Sequence, residues 1–173
     1  MGSALSVKCF RPKANVLFVL GVLSCSTAWA IPGDVAGAGK DCLEAAPSSV
    51  FAPRVPTVLV VLSPRMPYAL QEWERMKALA EQEGFRVEAM RDPRVPPLEW
   101  RQAVAAMGVD QLSNLEPVGD DFATRCRLLN HAPASIVGRC GVVHPWLILG
   151  VMPDSGWRET LRSRREDLSK VCE

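Results

Sequence analysis

Residues 57–62 read Thr-Val-Leu-Val-Val-Leu, an unbroken apolar and β-branched run with no polar alternation. A strand wetted on one face alternates polar and apolar side chains. A run apolar on both faces fits a strand covered from above and below. That requirement points to a layered α/β fold, because helices are the usual cover for both faces of a parallel sheet. The chain has 173 residues, enough for one such domain. With 48% hydrophobic and 23% charged residues it has a globular composition, which excludes disorder and low-complexity classes.

The pattern after this strand is regular. Ser63-Pro64-Arg65-Met66-Pro67 breaks it, and Leu70, Trp73, Met76 and Ala80 then recur at helical spacing up to Gly84, an expected C-cap. Phe85, Val87 and Ala89 alternate with Arg86 and Glu88, which predicts a second strand. A helix joins the two strands, so they are expected to run parallel in a right-handed βαβ unit. Residues 97–107 and 121–129 read as further helices, and His131-Ala132-Pro133 ends the second. A short strand is expected over 134–137, a turn over 138–141 and a second strand over 142–149, which Pro145 makes either an edge strand or a bulged one. The last helix opens at Met152-Pro153-Asp154-Ser155 and carries Trp157, Leu161, Leu168 and Val171 on its apolar face.

The first thirty residues follow a different logic. Lys8, Arg11 and Lys13 precede the apolar run 16–23, and Ala28-Trp29-Ala30 is an A-x-A triplet. This is the layout of a secretory signal peptide, with cleavage expected after Ala30 and a periplasmic destination. The apolar run is too short to span a bilayer. Val22-Leu23-Ser24-Cys25 offers a competing route, lipid attachment at Cys25, and only then would the protein sit on a membrane. Loss of residues 1–30 removes three of the 20 basic residues and none of the 19 acidic ones, so the net charge moves from +1 to −2. Neither value makes an electrostatic case for nucleic acid. Two histidines leave no His-rich metal site, and no cofactor is expected. Residues 31–56, rich in Gly, Ala, Pro and Ser, read as an extended leader, and 57–173 as the folded domain.

Export leaves Cys42, Cys126, Cys140 and Cys172 of the six cysteines. An even number in an oxidising compartment predicts two disulfides, for which three connectivities exist. None of the pairs has C-x-x-C spacing.

The order β-α-β, helices, β-β-α resembles the thioredoxin-like superfamily, and the resemblance spans residues 57 to about 171. It implies a three-layer fold with a mixed sheet of about four strands. Ser63-Pro64-Arg65-Met66 stands at the turn where the redox members carry their cysteine pair, and Pro133 matches their cis-proline. Ser63 and Met66 occupy the cysteine positions, and neither a hydroxyl nor a thioether forms the mixed disulfide of thiol exchange. The SPRMP turn after an apolar strand also resembles the pilin-assembly proteins of F-type conjugation systems, which are thioredoxin-like without the pair.

The candidate site is therefore a groove formed by Ser63, Pro64, Arg65, Met66, His131, Ala132 and Pro133. Ser63 reads first as a helix cap, with Pro64 and Pro67 fixing the entry. A Ser63–His131 pair is the requirement for a small hydrolase, but no motif supplies an orienting carboxylate. His144 reads as an ordinary strand residue. Arg158, Arg162, Arg164 and Arg165 alternate with Glu159, Glu166 and Asp167 and read as a solvated face of helical ion pairs. Trp73, Trp100 and Trp157 are expected in the core; Trp146 is the best candidate of the set for an exposed contact, although core packing is the expected fate for it too. The expected function is a secreted, non-redox binding or assembly protein that takes a protein or peptide partner, in a conjugation or secretion apparatus. The alternative is a periplasmic thiol-disulfide protein that uses an unusual cysteine pair.

Geometry selects among the three connectivities. Residues 142–149 span about 26 Å as a strand, and residues 155–171 span about 25 Å as a helix. The helix then ends beside the turn that holds Cys140, which favours Cys140–Cys172. Elimination leaves Cys42–Cys126.

Overall fold

The computed structural model describes residues 40–172, without the side chains of residues 40, 43 and 48. The expected signal segment, residues 1–30, lies outside them. Twelve elements follow in chain order: α1 (Lys40–Ala45), α2 (Ser48–Phe51), β1 (Thr57–Leu62), α3 (Pro67–Gln71), α4 (Trp73–Gln82), β2 (Arg86–Arg91), α5 (Pro97–Ala106), α6 (Asp120–Arg125), β3 (Ala134–Arg139), β4 (Val142–Val143), β5 (Ile148–Leu149) and α7 (Asp154–Asp167). Short 3-10 turns at Asp110–Leu112 and Leu128–Asn130 link the helices.

β1 is central and buried along its whole length, as its composition demands. It pairs parallel with β2 and antiparallel with β3, giving the sheet order β2-β1-β3-β4. The parallel βαβ unit and the antiparallel ββα unit thus share one mixed sheet, the α/β, thioredoxin-like arrangement. One core lies under α4, α5 and α7, with Val58, Val60, Leu62, Val137 and Ile148 from the sheet. The other lies under α1, α2 and α6, with Leu59, Val61, Ala134 and Ile136. The alternation of β1 between the two cores explains why it has no polar face.

The edge strand differs from expectation. β4 and β5 both pair with β3, but not in one register. Gly138 faces Val143, and an unbroken ladder would put Ile148 opposite Pro133; instead Ile148 faces Ser135. Two extra residues are looped out around Pro145, whose ring cannot donate to a ladder. The expected leader also differs: residues 40–51 form two short helices, and Cys42 and Phe51 are buried in the second core.

The arginines of α7 form a clamp between helices. Arg162 donates to both carboxylate oxygens of Glu83 at 2.8 and 2.7 Å, Arg158 to one at 3.2 Å, and Arg165 to the Glu83 carbonyl at 2.7 Å. Glu83 caps α4 and is buried, so the cations are drawn away from the acids of their own helix. Of the expected helical pairs on this face, Arg164–Asp167 is present at 3.8 Å.

Two disulfides join Cys42 to Cys126 and Cys140 to Cys172, with Cα separations of 4.7 and 5.8 Å. This is the pairing that the strand and helix lengths select. Trp73, Trp100 and Trp157 are buried, while Trp146 is 39% exposed. Two of these three indoles donate to backbone carbonyls, Trp100 to Leu112 and Trp157 to Met76.

Candidate functional site

Three chain segments meet at one end of the sheet. Leu62 ends β1, Arg91 ends β2 and Ala134 begins β3. Leu62 faces Arg91, and Val61 faces Ala134. Continuing the antiparallel register by two residues brings Ser63 opposite Ala132. The turn and the His131–Pro133 loop are therefore neighbours, and the Ala132–Pro133 peptide is cis.

Ser63 is buried and its hydroxyl donates to Asp92 Oδ2 at 2.8 Å. It does not cap α3. That helix starts at Pro67, its cap residue is Met66 with no side-chain bond, and Ser63 contributes only its carbonyl, to the Met66 N–H at 3.1 Å. Proline at the first helical position puts the cap three residues downstream of the serine, at Met66. Nor does Ser63 pair with His131, which is exposed and has no side-chain hydrogen bond among the described residues. The hydroxyl that a hydrolase needs is already committed to a carboxylate below the surface.

Asp92 is the residue that sequence reasoning missed. It is fully buried, and its Oδ1 accepts from the Arg94 N–H at 2.9 Å and from Arg94 Nε at 3.0 Å. Arg94 Nη2 closes the fork on Oδ2 at 2.8 Å and also reaches the Leu129 carbonyl at 2.9 Å, just before the cis-proline loop. Arg65 Nη2 donates to the Arg94 carbonyl at 3.2 Å. The two walls of the groove are thus tied through one ion pair. Burial alone would raise the Asp92 carboxyl, but the guanidinium and N–H of Arg94 with the Ser63 hydroxyl outweigh it and hold the group below its ordinary range. Sequence offers a faint signal for this, an acid and a base two residues apart beside a proline.

On the surface of this end, Arg65, Pro67 and Tyr68 are exposed, and Met66 packs against the first core. Pro64 is half-buried, and Ala132 and Pro133 are buried. No sulfur suitable for dithiol exchange lies at the turn. Among the described residues, no three His, Cys, Asp or Glu side chains converge as a metal site requires.

The other histidine is buried at the bulge. His144 Nδ1 accepts the Trp146 N–H at 3.1 Å, so Nε2 carries the proton that faces Asp167 Oδ2 at 3.1 Å. It is a tie between the edge strand and α7 rather than an ordinary strand residue.

No family model and no curated protein matches the sequence. Several solved structures are similar to it. The N-terminal domain of PilB from Neisseria gonorrhoeae is 18% identical, with a TM-score of 0.49 over 72% of this chain and 87% of that one. A putative thioredoxin from Neisseria meningitidis is 19% identical, with a TM-score of 0.48 over 69% and 80%. A secreted disulfide oxidoreductase of Mycobacterium tuberculosis, homologous to E. coli DsbE, is 14% identical, with a TM-score of 0.44 over 65% and 84%.

Proposed function

We propose that this chain is an exported, periplasmic binding or assembly protein on a thioredoxin-like frame, acting in a conjugation or secretion apparatus without redox chemistry at its turn. The groove of Ser63, Pro64, Arg65, Met66, His131, Ala132 and Pro133 holds a peptide or protein partner. One observation carries this reading. The position that would need an attacking thiolate is a serine hydroxyl locked onto buried Asp92, while exposed groups flank it.

Affinity capture from a periplasmic fraction tests it, with the Ser63→Ala/His131→Ala double variant as control. Weaker capture by the variant is expected; unchanged capture removes the groove reading. Intact mass of the exported protein decides between an N-terminus at Ile31 and a lipid-bearing Cys25.

A second reading, a thiol-disulfide protein with a non-standard cysteine pair, is favoured by one observation. The Cys140–Cys172 bridge is half-buried at the surface, not sealed in a core.

A further inference from the structure

The two bridges differ in what stands between them and solvent. Cys42 and Cys126 are 2% and 3% exposed, and they lie within the second core, joining α1 to α6. To open that bridge, a reagent must first separate two packed helices. Cys140 and Cys172 are half-buried, and Cys140 lines an open cleft of about 470 Å³ with Ser49, Ala52, Arg54 and Gly141. The charged side chain of that lining is a cation, Arg54, and Arg139 precedes the cysteine in the chain. A positive, partly exposed surrounding is what lowers the energy of a thiolate, whether it attacks or leaves.

The backbone around Cys140 is held independently of the bridge. Cys140 and Gly141 form the β3–β4 turn, both left-handed, at φ +51° and +77°. Glycine adopts this conformation freely and cysteine does not. The turn is nevertheless anchored without the sulfur: the Cys140 N–H donates to Pro53 O at 3.0 Å and the Gly141 N–H to Phe51 O at 2.8 Å. Cys172, by contrast, lies beyond α7. Its segment is held to β3 by Arg139 Nη1 at the Leu168 and Ser169 carbonyls, at 3.4 and 3.3 Å. With the bridge cleaved, hairpin and cores keep these ties, and the segment after Leu168 is held by Arg139 at Ser169 and by Val171 against the first core.

We propose that Cys140–Cys172 is an exchange site that oxidises a protein or peptide dithiol entering the Ser49–Arg54 cleft. This rests on the second, thiol-disulfide reading and names its cysteine pair. A thiolate of the partner attacks Cys140 Sγ from the cleft. The new partner–Cys140 disulfide forms as the Cys140–Cys172 bond breaks, and Cys172 leaves as a thiolate that takes a proton from water. The partner's second thiol gives up its proton and attacks its own sulfur in the mixed disulfide. The partner departs with a disulfide, and Cys140 is released as a thiolate and protonated. The bridge gains two electrons and two protons, and the dithiol loses them.

The test is timed reduction of the oxidised full chain by dithiothreitol under native conditions, with rapid alkylation and peptide mapping. Cys140 and Cys172 should be alkylated at least about tenfold faster than Cys42 and Cys126. In the Cys172→Ser variant, oxidised glutathione should add to Cys140, and Arg54→Glu in that background should slow the addition. Faster opening of Cys42–Cys126 overturns the proposal and leaves the thiol-disulfide reading standing. Resistance of both bridges until the protein unfolds overturns both. An Arg54→Glu variant that reacts at the unaltered rate removes the cleft from the proposal.

Discussion

Gly138 shows how tightly single atoms are placed in this fold. A Cβ added there would lie 2.5 Å from Phe51 Cδ1, 2.7 Å from Phe51 Cγ and 2.9 Å from the Val142 carbonyl. Phe51 is fully buried in the second core. Gly138→Ala should therefore destabilise the protein by roughly 1–3 kcal/mol, as overpacking does, read as a lower urea midpoint with unchanged slope. Equal stability would mean that the Phe51 ring gives way freely. Ser135 is the opposite case. Its hydroxyl is buried with no hydrogen-bond partner among the described residues, in a strand between β1 and β5. An unmet hydroxyl carries its desolvation cost with no return. Ser135→Ala should raise stability by about 1 kcal/mol; a loss of that size in a urea melt would show that the hydroxyl has a partner after all.

The elements divide by how their contacts are encoded. β1 is legible because both faces carry the signal locally, and α4 and α7 because their apolar positions recur at helical spacing. The bulged edge is only half legible: Pro145 announces an interruption, but the two-residue slip depends on how β3 pairs with each piece. The short α1 and α2 carry no periodicity to detect, and their place is set by partners 84 residues away in sequence for Cys42 and by Gly138 of β3 for Phe51. His144 looked ordinary for the same reason, since Asp167 and Arg164 reach it from α7. Burial first, then the Arg164 charge, lowers its pKa, and the Asp167 bond only partly offsets them. Protonation at Nδ1 would also set a donor against the Trp146 N–H. The unfolded chain therefore takes up the proton at a higher pH than the folded one. The stability due to neutral His144 is complete above the unfolded value of about 6.5 and is lost as pH falls through the lower folded value. Urea midpoints measured across that window should fall toward acid in the wild type and fall less in His144→Asn. Equal slopes would exclude His144 as the cause.

At the scale of the whole molecule, one sheet separates two cores, and the candidate site lies where three strand ends meet. The turn and the cis-proline loop were legible from the order of elements. The Asp92–Arg94 pair that ties them was not, because its meeting with Ser63 needs the β1–β2 register and its meeting with Leu129 needs the third strand. The second core depends on a long-range tie in the same way. Its N-terminal cover, α1, is only six residues long, too short to persist by propensity. The Cys42–Cys126 bridge holds it against α6, and the cross-link closes a loop with a sequence separation of 84. A loop that long gives the unfolded chain much freedom to lose, so the bridge stabilises by roughly 2–4 kcal/mol. Cys42→Ala/Cys126→Ala should lose that amount in a urea melt. Hydrogen exchange should quicken in α1 and α6, while β1, α4 and α7 keep their relative protection. Uniform quickening across both cores would instead show that the two sides of the sheet fold as one inseparable unit.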